Sequence, residues 1–255
     1  MRTNATKAKL NEDEVVFGAI ISRHAPDLVE LFGALSYDFV MIDCEHGPMN
    51  LDQVEHMVRA AESFDITPIA RIPDHSDATI LRFLDRGVQG ILVPHVNTGE
   101  EAEAIARAAR YYPDGHRSVG GGRAHDYGIG VSRDESTSHA NAETLVIPMI
   151  EDTVAVENLD DILAVQGVDI LHVASGDLGQ SMGNPVQSEV RRVMGEVIPK
   201  IRAGGKFAGA GGNSPSDTAG IAEFINLGAN FVTISAHGLL RLGAEAFRSR
   251  VQEAL

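Results

Sequence analysis

A (β/α)8 barrel, an α/β fold of the TIM type in a single domain over residues 1–255, is predicted by three features of the sequence. Its 255 residues match the roughly 250 typical of that barrel. Eight short runs of apolar and β-branched residues alternate with stretches whose apolar positions recur at helical spacing. The turn after the first run, Ser22-Arg23-His24, lacks the glycine-rich phosphate fingerprint that a doubly wound open sheet would carry there.

Residues 1–13 read as a polar leader, and Glu14 to Ile21 as the first strand. The helix that follows starts near Ala25, with Pro26 in its first turn, where a missing N–H costs nothing. Tyr37 to Asp43 is the second strand, a hydrophobic run that ends abruptly in Asp43-Cys44-Glu45-His46 and breaks at Gly47-Pro48. Leu51, Val54, Met57, Val58 and Ala61 then share one helical face. Thr67 to Ile72 is strand three, Asp77 to Arg86 a helix, Gly90 to His95 strand four, and Gly99 to Arg110 an Ala/Glu-rich helix. Between 111 and 142 the alternation pauses in a polar, glycine-rich segment of the kind that forms functional loops. It resumes with strand five at Leu145 to Glu151, a helix from Thr153 to Leu163, and strand six at Val168 to Val173. Strands seven (Lys206 to Ala210) and eight (Asn230 to Ile234) follow, with helices over 188–203, 216–227 and 239–254.

The net charge of -15 leaves no basic patch to neutralise phosphates, which argues against nucleic-acid and anionic-membrane partners. No apolar run approaches the ~20 residues of a membrane span, and the N-terminus lacks the apolar centre of a signal peptide. The one cysteine, Cys44, has no internal disulfide partner, which fits a cytoplasmic protein. Flanked by Asp43 and Glu45, it reads as a small strand-end residue whose thiol stays protonated, rather than as a nucleophile.

Ionisable residues gather where strands end: Asp43, Glu45 and His46 after the second, Arg71 after the third, His95 after the fourth, Glu151 after the fifth and Asp177 after the sixth. In a barrel these ends share one rim, the rim that carries chemistry. Taken singly, each has a plainer reading, as a helix cap or a solvated loop charge. Glu151 and Asp177, from neighbouring strands, could bind one hard cation through oxygen, suiting Mg2+ or Mn2+ better than zinc. Arg71 offers a fixed charge and a planar fork for a carboxylate or an enolate oxygen. His46 is the natural proton acceptor, with Asp43 or Glu45 placed to hold its tautomer. The four lysines, Lys7, Lys9, Lys200 and Lys206, all fall away from the active rim, so a Schiff-base route has no nucleophile. Gly209, Gly211 and Gly212 suggest space beside strand seven, or a backbone phosphate site.

The stretch from Phe39 to Pro48 resembles the DxEH strand of the HpcH/HpaI family of class II pyruvate aldolases. The resemblance continues through Ala70-Arg71-Ile72-Pro73, residues 84–94, residues 110–120, Met149-Ile150-Glu151 and residues 176–183. It implies a metal-dependent barrel that cleaves 4-hydroxy-2-oxoacids to pyruvate, or a related 2-oxoacid, and an aldehyde. It implies Mg2+, Mn2+ or Co2+ on Glu151 and Asp177, His46 as general base and Arg71 on the enolate oxygen. The 2-oxoacid carboxylate would lie at the backbone of Gly176 and Asp177. Asp85 matches an aspartate that raises the basicity of the histidine. It lies late in a helix leading away from the rim, so it would act across a subunit interface or be a surface acid. A homohexamer, a trimer of dimers that exchange the helix at 239–254, is the implied assembly. Two departures stand out. Met149 occupies a substrate-contacting position that is commonly Gln, and Ala174-Ser175-Gly176-Asp177 replaces the usual Gly-Pro-x-Asp. Neither removes a metal ligand or the base, but both leave the donor oxoacid and the acceptor open, and Met149 leaves open a Claisen-type condensation or a decarboxylation of a 2-oxodiacid; a barrel that binds an oxoacid without turnover would show damage to the metal pair or the base, and the sequence shows none.

Overall fold

The computed structural model describes residues 2–255. Eight parallel strands close into a barrel in the order β1-β2-β3-β4-β5-β6-β7-β8. They span Val16–Ile21, Phe39–Asp43, Thr67–Arg71, Gly90–Val93, Leu145–Ile150, Ile170–Ala174, Phe207–Gly211 and Ala229–Ser235. The helices, in chain order, are α1 (Ala5–Asn11), α2 (Pro26–Ala34), α3 (Leu51–Ser63), α4 (Asp77–Leu84), α5 (Gly99–Ala109) and α6 (Arg133–Glu143). After them come α7 (Thr153–Glu157), α8 (Leu159–Leu163), α9 (Ser175–Ser181), α10 (Gln187–Ala203), α11 (Thr218–Asn226) and α12 (Ala236–Glu253). Among the described residues no helix is long and apolar enough to cross a membrane.

Strand side chains alternate between two hydrophobic clusters, as the two-residue period of a strand requires. Val40, Ile42, Cys44, Ala70, Val146, Ile150, Leu171 and Val173 face outward into the layer between sheet and helices. Phe39, Met41, Ile69, Leu145, Ile147, Met149, Ile170 and Phe231 fill the barrel interior. The rings of Phe39 and Phe231 stack across it with centroids 4.2 Å apart, a contact admitted by Gly18, where any Cβ would collide with the Phe39 ring. Cys44 therefore sits in the outer layer and Asp43 at the top of the interior. Burial, with the charge of Asp43 beside it, pushes the Cys44 thiol up to about 12, in keeping with a packed, protonated residue.

Three local expectations are corrected. The polar leader is a helix, α1, laid across the amino-terminal mouth of the barrel. Its Leu10 is wholly buried in the interior cluster, while Asn4 caps the helix and donates to the carbonyls of Gln89 and Glu143. Lys7 reaches Asp169 at 2.8 Å. The polar residues that made this stretch look like a tail are thus spent on the open ends of the strands. The irregular segment contains a helix, α6, nucleated by a capping box between Ser132 and Glu135. The helix expected over 153–163 is split into α7 and α8 at Asn158, whose side-chain amide donates to Asn97 O.

If α1 is a plug rather than a tail, Leu10→Ala should destabilise the protein by about 2–5 kcal/mol, the range for a buried leucine truncation. Urea unfolding measures this; a loss below 0.5 kcal/mol, the scale of a surface substitution, would return α1 to the role of a leader.

Candidate active site

The inward parity of each strand sets which polar side chains reach the carboxyl-terminal rim. On β2 the inward series Phe39, Met41 ends in Asp43; on β3 Ile69 is followed by Arg71; on β5 Ile147 and Met149 are followed by Glu151. Register keeps them level, since Asp43 pairs with Arg71 across β2 and β3. A tight turn brings the chain back over the rim after β2: a Cβ on Gly47 would lie 2.8 Å from the Ser22 carbonyl oxygen, so no side chain fits.

Arg71 is the centre of this layer. Its Nε donates to Asp43 Oδ1 at 3.0 Å, its Nη2 lies 2.9 Å from Asp43 Oδ2, and its Nη1 lies 3.1 Å from Glu45 Oε2. Asp43 also accepts from Ser22 Oγ and from the backbone N–H of His46. Burial alone would raise the Asp43 carboxyl, but Arg71, His46 N–H and Ser22 together hold it below the ordinary value. Burial works against the Arg71 charge, and Asp43, Glu45 and Glu151 more than offset it.

Glu151 is almost wholly buried. Its Oε1 accepts the backbone N–H of His95 at 2.8 Å, an N–H aimed inward because His95 adopts a left-handed backbone with φ 52°. The His95 ring shares a hydrogen bond with Asp152 through Nδ1 at 3.0 Å, and this partner holds the ring above the ordinary histidine value despite partial burial. Burial raises Glu151 to about 7, opposed by His95 and reinforced by the charges of Asp177 and Glu45. The side chain of Asp177, in the first turn of α9, makes no hydrogen bond or ion pair with the described residues. Two carboxylates that repel one another in a poorly solvated niche are what a divalent cation relieves, so the donor chemistry fits one. Among the described residues no three His, Cys, Asp or Glu side chains form a metal-binding set, which leaves oxygen donors from water and substrate to complete a hard cation's shell.

Residues 18–242 match the model of the HpcH/HpaI aldolase/citrate lyase family. The chain belongs to this family. It is 35% identical over 233 residues to the 4-hydroxy-2-oxovalerate aldolase of Novosphingobium aromaticivorans, covering 90% of this chain and 87% of that protein. It is 34% identical over 237 residues to the hydroxypyruvate/pyruvate aldolase of Roseobacter denitrificans, covering 91% and 90%. Among solved structures it is similar to the citrate synthase SbnG, with a TM-score of 0.86, 32% identity and 99% of each chain covered.

Within this HpcH/HpaI barrel, Asp43, Glu45, Arg71, Glu151 and Asp177 come into electrostatic reach of one another. His46 is exposed on the loop above them, anchored through its backbone N–H to Asp43; among the described residues no hydrogen bond or ion pair joins its ring to Asp43 or Glu45, both of which are engaged by Arg71. The next helix is capped by Asn50 and Gln53, so the acids of this loop are not helix caps. Asp85 is not in this constellation. It ends α4 and pairs with Arg117 at 2.9 Å. Met149 is buried beside His172, its register partner on β6, and Gly176 opens onto free space in the first turn of α9. The room expected at strand seven is absent at Gly209 and Gly211, because the His172 ring fills it. All four lysines lie away from the rim; Lys206 donates to the carbonyls of Val165 and Val168. Sequence reading overlooked the His95 backbone donor, which has no sequence signal. It also passed over His172, whose signal was an imidazole amid an otherwise apolar strand facing a glycine-alternating one.

Glu151 has a folded value near 7 against an ordinary 4.5, so in this interval the folded state binds more protons than the unfolded one. The stability it contributes is present below about 4.5 and is lost as pH rises through 7. Cation-free protein should lose stability over that window, and Glu151→Gln should flatten the loss. Thermal melts at stepped pH measure it; an identical slope in both proteins would contradict the assignment.

Proposed function

We propose that this protein is a divalent-metal-dependent aldolase that reversibly cleaves a 4-hydroxy-2-oxoacid into pyruvate, or a related 2-oxoacid, and an aldehyde. The observation that carries this reading is the meeting of a carboxylate-clamped Arg71 with the like-charged pair Glu151 and Asp177 on one rim. Glu151 and Asp177 would hold the cation, Mg2+, Mn2+ or Co2+, which when bound supplies positive charge to the oxygens of the 2-oxoacid. Arg71, fixed by Asp43 and Glu45, faces negative charge as it grows on the C2 oxygen, and its preorganised fork needs no reorientation during the reaction. His46 takes the proton of the C4 hydroxyl. The C3–C4 bond then breaks, its electrons enter the enolate, and the aldehyde leaves. The first-turn N–H groups of α9 at Gly176 and Asp177 suit the substrate carboxylate. Gly212, with φ +80°, keeps that approach open: a Cβ there would stand 3.2 Å from Gly176 N. Asp85 is paired with Arg117 and stands outside this constellation, so it either serves a neighbouring copy's site or is a surface acid. A Claisen-type condensation of the same enolate is the second reading, favoured by the likeness to the citrate synthase SbnG. A cytoplasmic location is proposed with both, on the single unpaired thiol.

Pyruvate release from a panel of 4-hydroxy-2-oxoacids, with EDTA and with each cation restored, tests the reading. Glu151→Gln and Asp177→Asn should abolish the cation-dependent rate while the fold persists. Full activity of stripped protein would end the class II assignment. Arg71→Ala should depress both cleavage and deuterium exchange into the pyruvate methyl by on the order of 10²–10³. His46→Ala should lower cleavage by on the order of 10²–10⁴; near wild-type cleavage would move the base elsewhere.

We propose further that the chain assembles into a homo-oligomer of even order, a hexamer of three dimers. Leu240, Phe247 and Val251 of α12 are exposed, an apolar face that a neighbouring copy would cover. Light scattering at micromolar concentration should give a hexamer mass; a monomer would refute it.

A further inference from the structure

Directly behind Glu151 the chain makes an uncommon backbone choice and uses two side chains to keep it. His95 follows β4 with φ 52°, a left-handed conformation that a residue other than glycine enters only at a cost. Its N–H donates to Glu151 Oε1 at 2.8 Å, while Glu151 Oε2 accepts no hydrogen bond from the described residues. The chain is fixed on both sides of this peptide. Val93 is paired with Pro148 in the sheet; beyond His95, the N–H of Asn97 donates to Glu101 and its carbonyl accepts from Asn158. With both ends held, φ at His95 can relax only by turning the peptide that carries this N–H, which takes the donor away from Glu151. The His95 ring opposes that turn. Its Nδ1 lies 3.0 Å from Asp152 Oδ2 and 3.6 Å from Glu151 Oε1. The side chain is 57% exposed, so packing does not hold it there. Asp152 occupies the N-cap of α7, where a carboxylate ordinarily accepts a helix N–H, yet it makes no such bond. Its carboxylate is committed to the His95 ring instead.

We propose that Asp152 and the His95 ring form a latch that keeps the His95 peptide left-handed, and that both are thereby positioning residues for the cation: the N–H fixes Glu151 by one oxygen and leaves the other free for the ion. This rests on the aldolase reading above, in which Glu151 and Asp177 hold the cation. A carboxylate that must be ordered when the ion arrives loses part of the binding free energy to that ordering. One already fixed by a hydrogen-bond donor behind it does not, which is how groups behind a metal ligand raise affinity. Neither His95 nor Asp152 needs to touch the ion or the substrate for this. The latch acts through the backbone.

The test removes the ring in two ways and reads Mn2+ affinity by titration calorimetry at one pH. Alanine leaves the left-handed conformation as costly as before with nothing to hold it, whereas glycine enters that region freely. Any effect of the imidazole on the ion, by contact or by charge, is lost equally from both variants, so their difference reads the backbone alone. His95→Ala should bind Mn2+ about tenfold more weakly than His95→Gly, the lower end of the cost of loosening a partner behind a metal ligand. Equal affinities would overturn the proposal. Asp152→Ala supplies the second arm. It should weaken binding more in the wild type than in His95→Gly, which has no ring to hold; its loss of charge and its effect on α7 are common to both backgrounds and cancel. An equal loss in the two backgrounds would also overturn it. Melting temperatures of the same proteins, free of cation, repeat the comparison without any ion. His95→Gly should melt above His95→Ala, the reverse of the order at positions any residue can adopt, and Asp152→Ala should cost the wild type more than it costs His95→Gly. The opposite order, or equal costs, counts against the latch. A wild type that binds no Mn2+ would strike the cation site alone, because the melts still decide whether Asp152 and the ring hold the peptide.

Discussion

Closing eight parallel strands into a barrel sends every second side chain inward, and a closed interior has nowhere to hide an unpaired charge. Everything functional here follows from that parity. Along β2 and β5 the inward positions are apolar for two or more steps, along β3 they are Thr67 and Ile69, and each series turns ionisable only at its last position, where the barrel opens. Shifting any of these strands by a single residue would bury Glu151 or Arg71 among the helices and turn Ile150 or Ala70 into the site.

The rim is more acidic than its one fixed cation can balance. Asp43, Glu45, Glu151 and Asp177 face Arg71, and Arg71 is committed to the first two. What remains is a carboxylate pair with mutual repulsion and little solvent, and Glu151 registers it as a raised proton affinity. The same imbalance that holds a proton at Glu151 would hold a divalent cation more strongly, and proton and metal therefore compete. Arg71 gains from the arrangement as well. Clamped at its Nε edge and at Nη1, it presents a fixed positive charge rather than a mobile side chain, which is the condition under which such a charge lowers a barrier.

Below the rim the logic changes from charge to shape. Phe39 and Phe231 stack to close the interior, α1 seals the amino-terminal mouth with Leu10, and burial keeps the one imidazole in this region neutral. The empty inward positions of β7 are complementary to His172, so two strands jointly specify one side chain. A polar group this deep is costly unless paired, and its Nε2 is paired with Thr233 Oγ1.

Much of this was legible in the sequence, and for local reasons. Hydrophobic runs of strand length, helical periodicity and glycine or proline breaks are properties of neighbours in the chain, and they set the eight units and their order. The clustering of Asp43, Arg71, Glu151 and Asp177 at strand ends was legible for the same reason, since a strand end is marked by where its apolar run stops. What the chain alone left undecided were relations between residues far apart. Asp43 reads in the chain as a partner for the His46 ring, and the level register of β2 and β3 commits it to Arg71 instead. The residues before Val16 read as a tail because their partners, the open strand ends at Gln89, Glu143 and Asp169, lie some 80 to 160 positions away. Gly209 and Gly211 read as space because the ring that fills it belongs to another strand. Local patterns fixed which faces are buried; contacts across the closed barrel decided what each buried or rim-facing group meets, because closure brings together groups that no sequence window contains.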